Sequence, residues 1–563
     1  MSAFDDERPE DERDRVLANS AVMAVGTVFS RASGFIRSAL LVAALGASLH
    51  ADLFNIANTI PNMLYILLAG GVVNAVLVPQ LVRTMKQDAD GGEAYANRII
   101  TLAGLFLGTV TVLLVVAAPW VMSVFLDPAF GRDCLSDQRD SVIDFARLCL
   151  PQVFFYGMYV LIGQVLNARG RFGPMMWAPI ANNAISIVVL VVYLVVFGPA
   201  QDLVGAYTPG QELLLGLGAT VGIAAQFLIL IPYLRATGFH YRPRFDFVGT
   251  GLARTLQLGV WTVLFVIVNQ IAYTVVVRLA SGGTSAVACD GASSGGATGY
   301  TIYSMTFLII MVPHSIITVS LSTAILPRLA ARAADGDLAA LSRSLSSTMR
   351  SALALVIPFA ALVPVVATDA AHLLWGYGAG RDDYELFGPP LGLFGIGLVF
   401  FTIHYLVLRG FYALERNAQV FGIQCVVAAV NIVVAVALVR GADDADTASA
   451  LVLAYAAAYL VGATVSYSLL ARRLGGLDGA GLLRFLLRLA IATVLAVVAA
   501  GGTAYLLHEV VGRTSWWAAL ATVVVAGIAG ALVLLGSARL LRLEELTSIV
   551  DTITRRLPLP RRS

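Results

Sequence analysis

Apolar runs of about twenty residues recur along the whole chain, and this feature decides the class of fold. In hydrocarbon every backbone N–H and C=O needs an internal partner, which leaves only helices or a closed barrel. The runs do not alternate strictly between apolar and polar residues, so they read as helices. The expectation is an all-α polytopic membrane protein with about fourteen transmembrane helices. Spans are placed near 19–46, 52–83, 95–125, 140–167, 173–198, 210–235, 250–280, 299–332, 345–376, 387–414, 418–440, 447–472, 482–508 and 515–540. With 58% hydrophobic and 13% charged residues, the chain has too little polar surface for a soluble domain of this size.

Residues 1–18 are polar and mixed in charge, with no apolar stretch before Val22, so they read as a disordered cytoplasmic leader and not a signal peptide. Basic residues gather in alternate loops: Arg83, Lys86 and Arg98; Arg169 and Arg171; Arg235, Arg242, Arg244 and Arg254; Arg328, Arg332, Arg343 and Arg350; Arg472, Arg473, Arg484 and Arg488; Arg555, Arg556, Arg561 and Arg562. The positive-inside rule then puts both termini in the cytoplasm. Their dispersal between spans argues against nucleic-acid binding. Cys149 and Cys425 fall inside apolar helices, whereas Cys134 and Cys289 fall in outer loops where a disulfide is feasible.

The chain also echoes itself. AVLVPQLVR around Pro79 matches AILPRLAAR around Pro327, and LNARGRFGP around Gly170 matches LRGFYALERN around Gly410. Both pairs lie about six spans apart, which predicts two six-helix lobes in parallel orientation, 19–240 and 241–475, followed by two further helices over 476–541. Residues 542–563 form a tail in which apolar residues at helical spacing oppose charges, as in an interfacial amphipathic helix or a frayed soluble end.

Charges far from helix ends are the pointers to function, because a charge in hydrocarbon is costly unless it meets a polar cavity or a partner. The first span carries Arg31 and Arg37 with no carboxylate nearby in that span. They stand about 120° apart on a straight helix, so aiming both at one cavity needs a bend, for which Ser33 and Gly34 are placed. Guanidinium forks suit phosphate or carboxylate oxygens, although snorkelling or pairing with Asp52 also accounts for such arginines. In the second span Asp52, Asn55, Asn58, Asn62 and Asn74 form a polar series loosened by Pro61 and Gly70-Gly71, suiting either a gated hinge or ordinary interhelical hydrogen bonds. Asp52 is a candidate gating ion-pair partner. Arg278 falls near the outer end of the seventh span, within reach of headgroups or of a substrate. His404 and Arg409 lie in the tenth span. No nucleophile–base set or phosphate-binding loop is visible, so neither an enzyme nor an ATP-driven pump is expected.

The stretch FSRASGFIRSALLVAALGASLHADLFNIANTIPNMLYILLAGGVVNAVLVPQLV resembles the opening two helices of the MurJ/MviN family, lipid II flippases of the multidrug/oligosaccharidyl-lipid/polysaccharide exporter superfamily. LNARGRFGPMMWAPIANN, VPHSIITVSLSTAILPRLA and LRGFYALERN resemble that family's later signatures, in order. The resemblance implies two six-helix lobes plus two final helices forming a groove for a lipid tail. It implies translocation of lipid II, the undecaprenyl-pyrophosphate-linked muropeptide, between leaflets of the bacterial inner membrane by alternating access. Arg31 and Arg37 match the family's first-helix arginines, Asp52 its acidic residue, and Asn62 its Pro-Asn. Tyr65 and Leu308 stand where family members carry arginines, and Gly70 where they carry an acid; Arg278 is the expected compensating cation. Asn431 resembles one sodium ligand, but Ala435 replaces the next, so the coupling ion is left open and no cofactor is expected. A monomer in contact with membrane lipids is expected, with cell-wall synthases as candidate partners. The rival readings are a transporter of another polyprenyl-linked glycan or of drugs, and a non-transporting scaffold for those synthases.

Overall fold

The computed structural model describes residue 26 and residues 29–67, 92–246, 252–290 and 296–548, with side chains left out at 252–258, 287 and 290. Among the described residues there are twelve helices, or helix runs, long and apolar enough to cross a membrane, from Glu93–Val116 to Trp516–Leu540. They coincide with the third to fourteenth expected spans. The first two expected spans are helical where described, over 29–45 and Leu49–Ile66, and their remaining parts lie outside the described residues. So do the leader, Gly70, Gly71, Pro79 and most of the tail, of which 544–548 is helical.

Several spans are less uniform than apolar length alone suggests. The third is Glu93–Val116 followed by Ala118–Phe125, broken at Ala117 just before Pro119. The fourth is Ser136–Cys149 and Gln152–Ala168, interrupted at Pro151, whose ring supplies no N–H to the ladder. The sixth and eighth contain π turns at Leu213–Leu217 and His314–Thr318. The ninth, Leu338–Trp375, runs on through Pro358 and Pro364.

By contacts the chain divides into Met1–Gln270 and Ile271–Ser563, whereas the loop pattern sets the boundary at 240/241. The segment 239–246, just past the expected boundary, is strapped onto the start of the third span. Arg242 N–H donates to Asn97 Oδ1 at 2.9 Å, Arg244 N–H donates to Thr101 Oγ1 at 3.1 Å, and Arg98 pairs with Asp246.

The seventh span also departs from expectation. Leu252–Asp290 continues ten residues past the expected end at 280, so Arg278 lies inside the helix and not near its outer end. The continuation SGGTSAVACD contains no proline, and its small residues allow close packing. A Cβ on Gly283 would fall 2.7 Å from Thr447 Cβ and nearer still to the Thr298 carbonyl oxygen. Thr298 in turn accepts from Ala448 N–H at 2.9 Å, holding the start of the twelfth span, Thr447–Leu474.

The fourth span ends with Gly170 N–H donating to the Asn167 carbonyl and Arg171 N–H to the Leu166 carbonyl; the tenth ends with Glu415 N–H to Tyr412 and Arg416 N–H to Phe411. These are matched Schellman closures. The left-handed residue is Gly170 (φ 75°) in the first and Glu415 (φ 55°) in the second, while Gly410 lies inside its helix against Leu470 and Leu345.

The last two helices, Gly479–Val511 and Trp516–Leu540, pack on each other and on the ninth span. Buried Ala492, Ala496, Ala500 and Ala504 form a four-residue repeat of small side chains, meeting Ala526, Gly530 and Leu362. Close backbone approach through small residues is the usual means of helix association in lipid. The opposite face exposes Leu487, Ile491, Val494, Val498 and Leu506. Buried Asp369 accepts from His508 Nε2 at 3.1 Å, a further tie between the ninth and thirteenth spans. Cys134 and Cys289 are disulfide-bonded, and Cys149 and Cys425 are free thiols.

Candidate functional site

The first unit assembles a polar surface from the first, second and fourth spans. Asn58, Asn62 and Tyr65 stand at i, i+4 and i+7 of Leu49–Ile66, one face of the helix. Opposite them on Gln152–Ala168 are Gln152 and Tyr156, again one turn apart. Gln152 Nε2 donates to Asn58 Oδ1 at 2.9 Å, and the rings of Tyr65 and Tyr156 lie 4.8 Å apart at 35°. Half-buried Arg37 comes within electrostatic range of the Tyr156 hydroxyl. Asn62 is exposed and has no hydrogen-bond partner among the described residues. Tyr65 thus adds an aromatic face to this surface, set against Tyr156.

Arg31 is also half-buried, six residues before Arg37 in the same helix. Neither arginine has an ion pair or hydrogen bond among the described residues, so the pairing of either with Asp52 does not occur. Asp52 is fully buried at the start of the second span, in the electrostatic field of Tyr207, whose hydroxyl donates to the His50 carbonyl at 2.7 Å. The helix is unbroken across Ser33 and Gly34. It is clasped there by the fifth span: Asn183 Nδ2 donates to the Ser30 carbonyl and to Ser33 Oγ, both at 2.9 Å, and Phe29 stacks on Trp177. A Cβ at Gly34 would lie 3.9 Å from Asn183 Nδ2, ordinary contact, so space alone does not require glycine.

Asn183, Gln152 and Tyr156 are the site residues that sequence reasoning passed over. Their signals were present in APIANN and in the aromatic run FFYGMY, but one amide or ring within an apolar helix does not announce what it touches.

In the second unit Arg278 is half-buried, with its carbonyl accepting from Ser281 Oγ at 2.8 Å. Leu308 is exposed. His404 lies 3.2 Å from Ser466 Oγ through Nδ1, while its buried Nε2 has no partner. The Arg409 guanidinium lies over the Tyr405 ring at 4.2 Å. Asn431 Oδ1 is a buried oxygen without a partner, as a cation ligand would be, yet Ala435 one turn on offers no donor. No group of three or more His, Cys, Asp or Glu that could hold a metal occurs among the described residues. Among the described residues, then, Asn431 has no carboxylate one turn on to join it as a sodium ligand.

Comparison with known proteins gives one family. Residues 41–523 match the family model described as "Lipid II flippase MurJ". Arg31 and Arg37 precede the matched segment. A probable lipid II flippase MurJ of Haemophilus influenzae is 26% identical over 400 residues, 69% of this chain and 74% of that protein. A lipid II flippase MurJ of Burkholderia cenocepacia is 26% identical over 394 residues, 69% and 71% of the two chains. Among solved structures, a lipid II flippase MurJ in an inward closed conformation superposes with a TM-score of 0.69 at 16% identity, covering 93% of this chain and 100% of that one. An inward-facing multidrug resistance MATE family transporter of the MOP superfamily gives 0.60 at 15% identity, covering 80% and 94%. The helical order and fold agree with these likenesses, and the match over most of the sequence decides the family: the chain belongs to the lipid II flippase MurJ family.

Proposed function

We propose that this protein carries lipid II from the inner to the outer leaflet of the bacterial cytoplasmic membrane by alternating access, with both termini in the cytoplasm. The observation that carries the reading is the pair Arg31 and Arg37, held in an apolar helix with no compensating carboxylate among the described residues. Uncompensated guanidinium groups at membrane depth are costly, and a diphosphate supplies the missing charge through short, bidentate bonds. Asn62 adds a free amide for a sugar or peptide carbonyl, and the Tyr65–Tyr156 pair offers ring faces to the glycan. Arg278 is assigned a contact with the same headgroup at another stage of the cycle. Ser33, Gly34, Asp52, Gly70 and Gly71 are assigned to conformational change, Ser33 through its bond to Asn183. The polyprenyl tail stays in lipid against the exposed apolar face of the thirteenth span. No step is routed through sodium.

The test is translocation of fluorescent lipid II by the full chain in proteoliposomes, together with growth rescue of flippase-depleted cells. The wild type should transport and rescue, and Arg31→Gln/Arg37→Gln should do neither while reaching the membrane normally. Rescue by the double variant would leave a scaffold as the better reading.

A further inference from the structure

On the arginine-rich side of the membrane, the eighth and ninth spans form a helical hairpin, Val319–Ala334 turning through Asp335–Asp337 into Leu338–Trp375. Between its arms lies an open cleft of about 370 Å³, lined by Arg328, Arg332 and Arg343 together with the hydroxyls of Ser344, Ser347 and Thr348. That volume falls within the roughly 300–1,000 Å³ range of small-ligand sites. We propose that this cleft is an anion site for the phosphate of an acidic phospholipid headgroup, separate from the residues assigned to transport.

Arg328 and Arg332 stand one turn apart on the eighth span, and Arg343 with Ser347 and Ser344 with Thr348 one turn apart on the ninth, so two helix faces present donors to one space. Arg328 and Arg343 have no ion pair or hydrogen bond among the described residues. Arg332 is fixed by Nη1 donating to the Ala340 carbonyl at 2.9 Å, and a guanidinium has five N–H donors, leaving four. Ser344 and Ser347 hydroxyls have no partner among the described residues; the Thr348 hydroxyl donates to the Ser344 carbonyl at 2.9 Å. No carboxylate lines the cleft. Of the two acids in the turn, Asp337 is engaged in capping Ala340 N–H at 2.8 Å, and Asp335 is exposed.

Three guanidinium groups and free hydroxyls with no acid among them constitute a donor set for phosphate oxygens. The lipid source is favoured by position. The cleft is at the ends of two membrane-crossing helices, where headgroups lie, and Ile325 forms its apolar wall. By the positive-inside rule this face is cytoplasmic, where basic pockets between helices take anionic headgroups.

The experiment uses the purified full chain in phosphatidylcholine nanodiscs, with cardiolipin titrated in as the lipid probe and inorganic pyrophosphate as the soluble one. Thermal unfolding and native mass spectrometry of retained lipid provide the readouts. Cardiolipin should raise the unfolding temperature of the wild type. Arg328→Gln/Arg332→Gln/Arg343→Gln should weaken that response about tenfold or more, and Arg472→Gln/Arg473→Gln, on the same membrane side, should not. Ser344→Ala/Ser347→Ala leaves every charge in place and should weaken binding two- to fivefold, deciding the matter if the triple variant fails to fold. Pyrophosphate acting as well as cardiolipin, and lost in the same variants, would support the phosphate site with a soluble occupant. Equal cardiolipin binding by wild type and both cleft variants, or equal loss in the control, would overturn the proposal.

Discussion

Replacing Arg37 by glutamine should separate transport from folding, because of what the side chain lacks. With no carboxylate partner among the described residues, its removal leaves no buried acid unpaired, the usual reason such a change unfolds a protein. Each charge-assisted bond to a phosphate contributes about 1.5–3 kcal/mol, so losing one should weaken headgroup binding roughly ten- to a hundredfold. Arg31 and Arg37 are separated by six residues, about 9 Å of helix rise, but they share the diphosphate as a partner, so their losses couple and need not sum. The double variant should lose more than either single one, with about 3–6 kcal/mol as the additive reference, enough to abolish measurable translocation. Arg37→Lys keeps the charge but not the fork and should fall between. The assay is initial translocation rate against lipid II concentration in proteoliposomes, beside thermal unfolding of the same preparations. Wild-type rates in Arg37→Gln would refute the reasoning, as would a large fall in its unfolding temperature, since that would make Arg37 a structural residue.

Other substitutions test the frame around the site. Asn183→Ala removes both amide bonds to Ser30 and Ser33 and should cost about 1–3 kcal/mol, read as a lower unfolding temperature. Gly283→Ala forces a methyl group against the Thr298 carbonyl and Thr447, and should destabilise by about 1–3 kcal/mol, while Gly422→Ala, with nothing within 4 Å, should stay near neutral in the same assay. The Arg98 side chain, by hydrogen bonding, holds the Asp246 carboxyl below the usual carboxylate value. The strap's stabilisation by this pair should accordingly be complete above the ordinary carboxylate pKa and disappear as pH falls through the lowered one. Asp246→Asn should remove that acid-side dependence, followed by hydrogen exchange of the Arg242 and Arg244 amides.

Hydrophobic length made the helices legible because the bilayer sets it, and the third to fourteenth spans appear where apolar runs placed them. Breaks at Ala117 and Pro151 and the π turns at Leu213–Leu217 and His314–Thr318 were hidden, since hydropathy does not register which N–H has lost its acceptor. The end of the seventh span was misplaced because SGGTSAVACD looks like loop in composition, while its helix is maintained by close packing on Thr298 and Thr447, residues distant in sequence. Arg31 and Arg37 stood out as charges in an apolar run. Asn183 and Tyr156 did not, because their roles depend on which helices come together.

The closures of the fourth and tenth spans share their backbone bonds but not their conformational cost. The fourth has Gly170 at its left-handed residue; the tenth has Glu415 there, at a conformational cost of roughly 1–2 kcal/mol. Glu415→Gly would lift that strain and make the end of the tenth span sturdier.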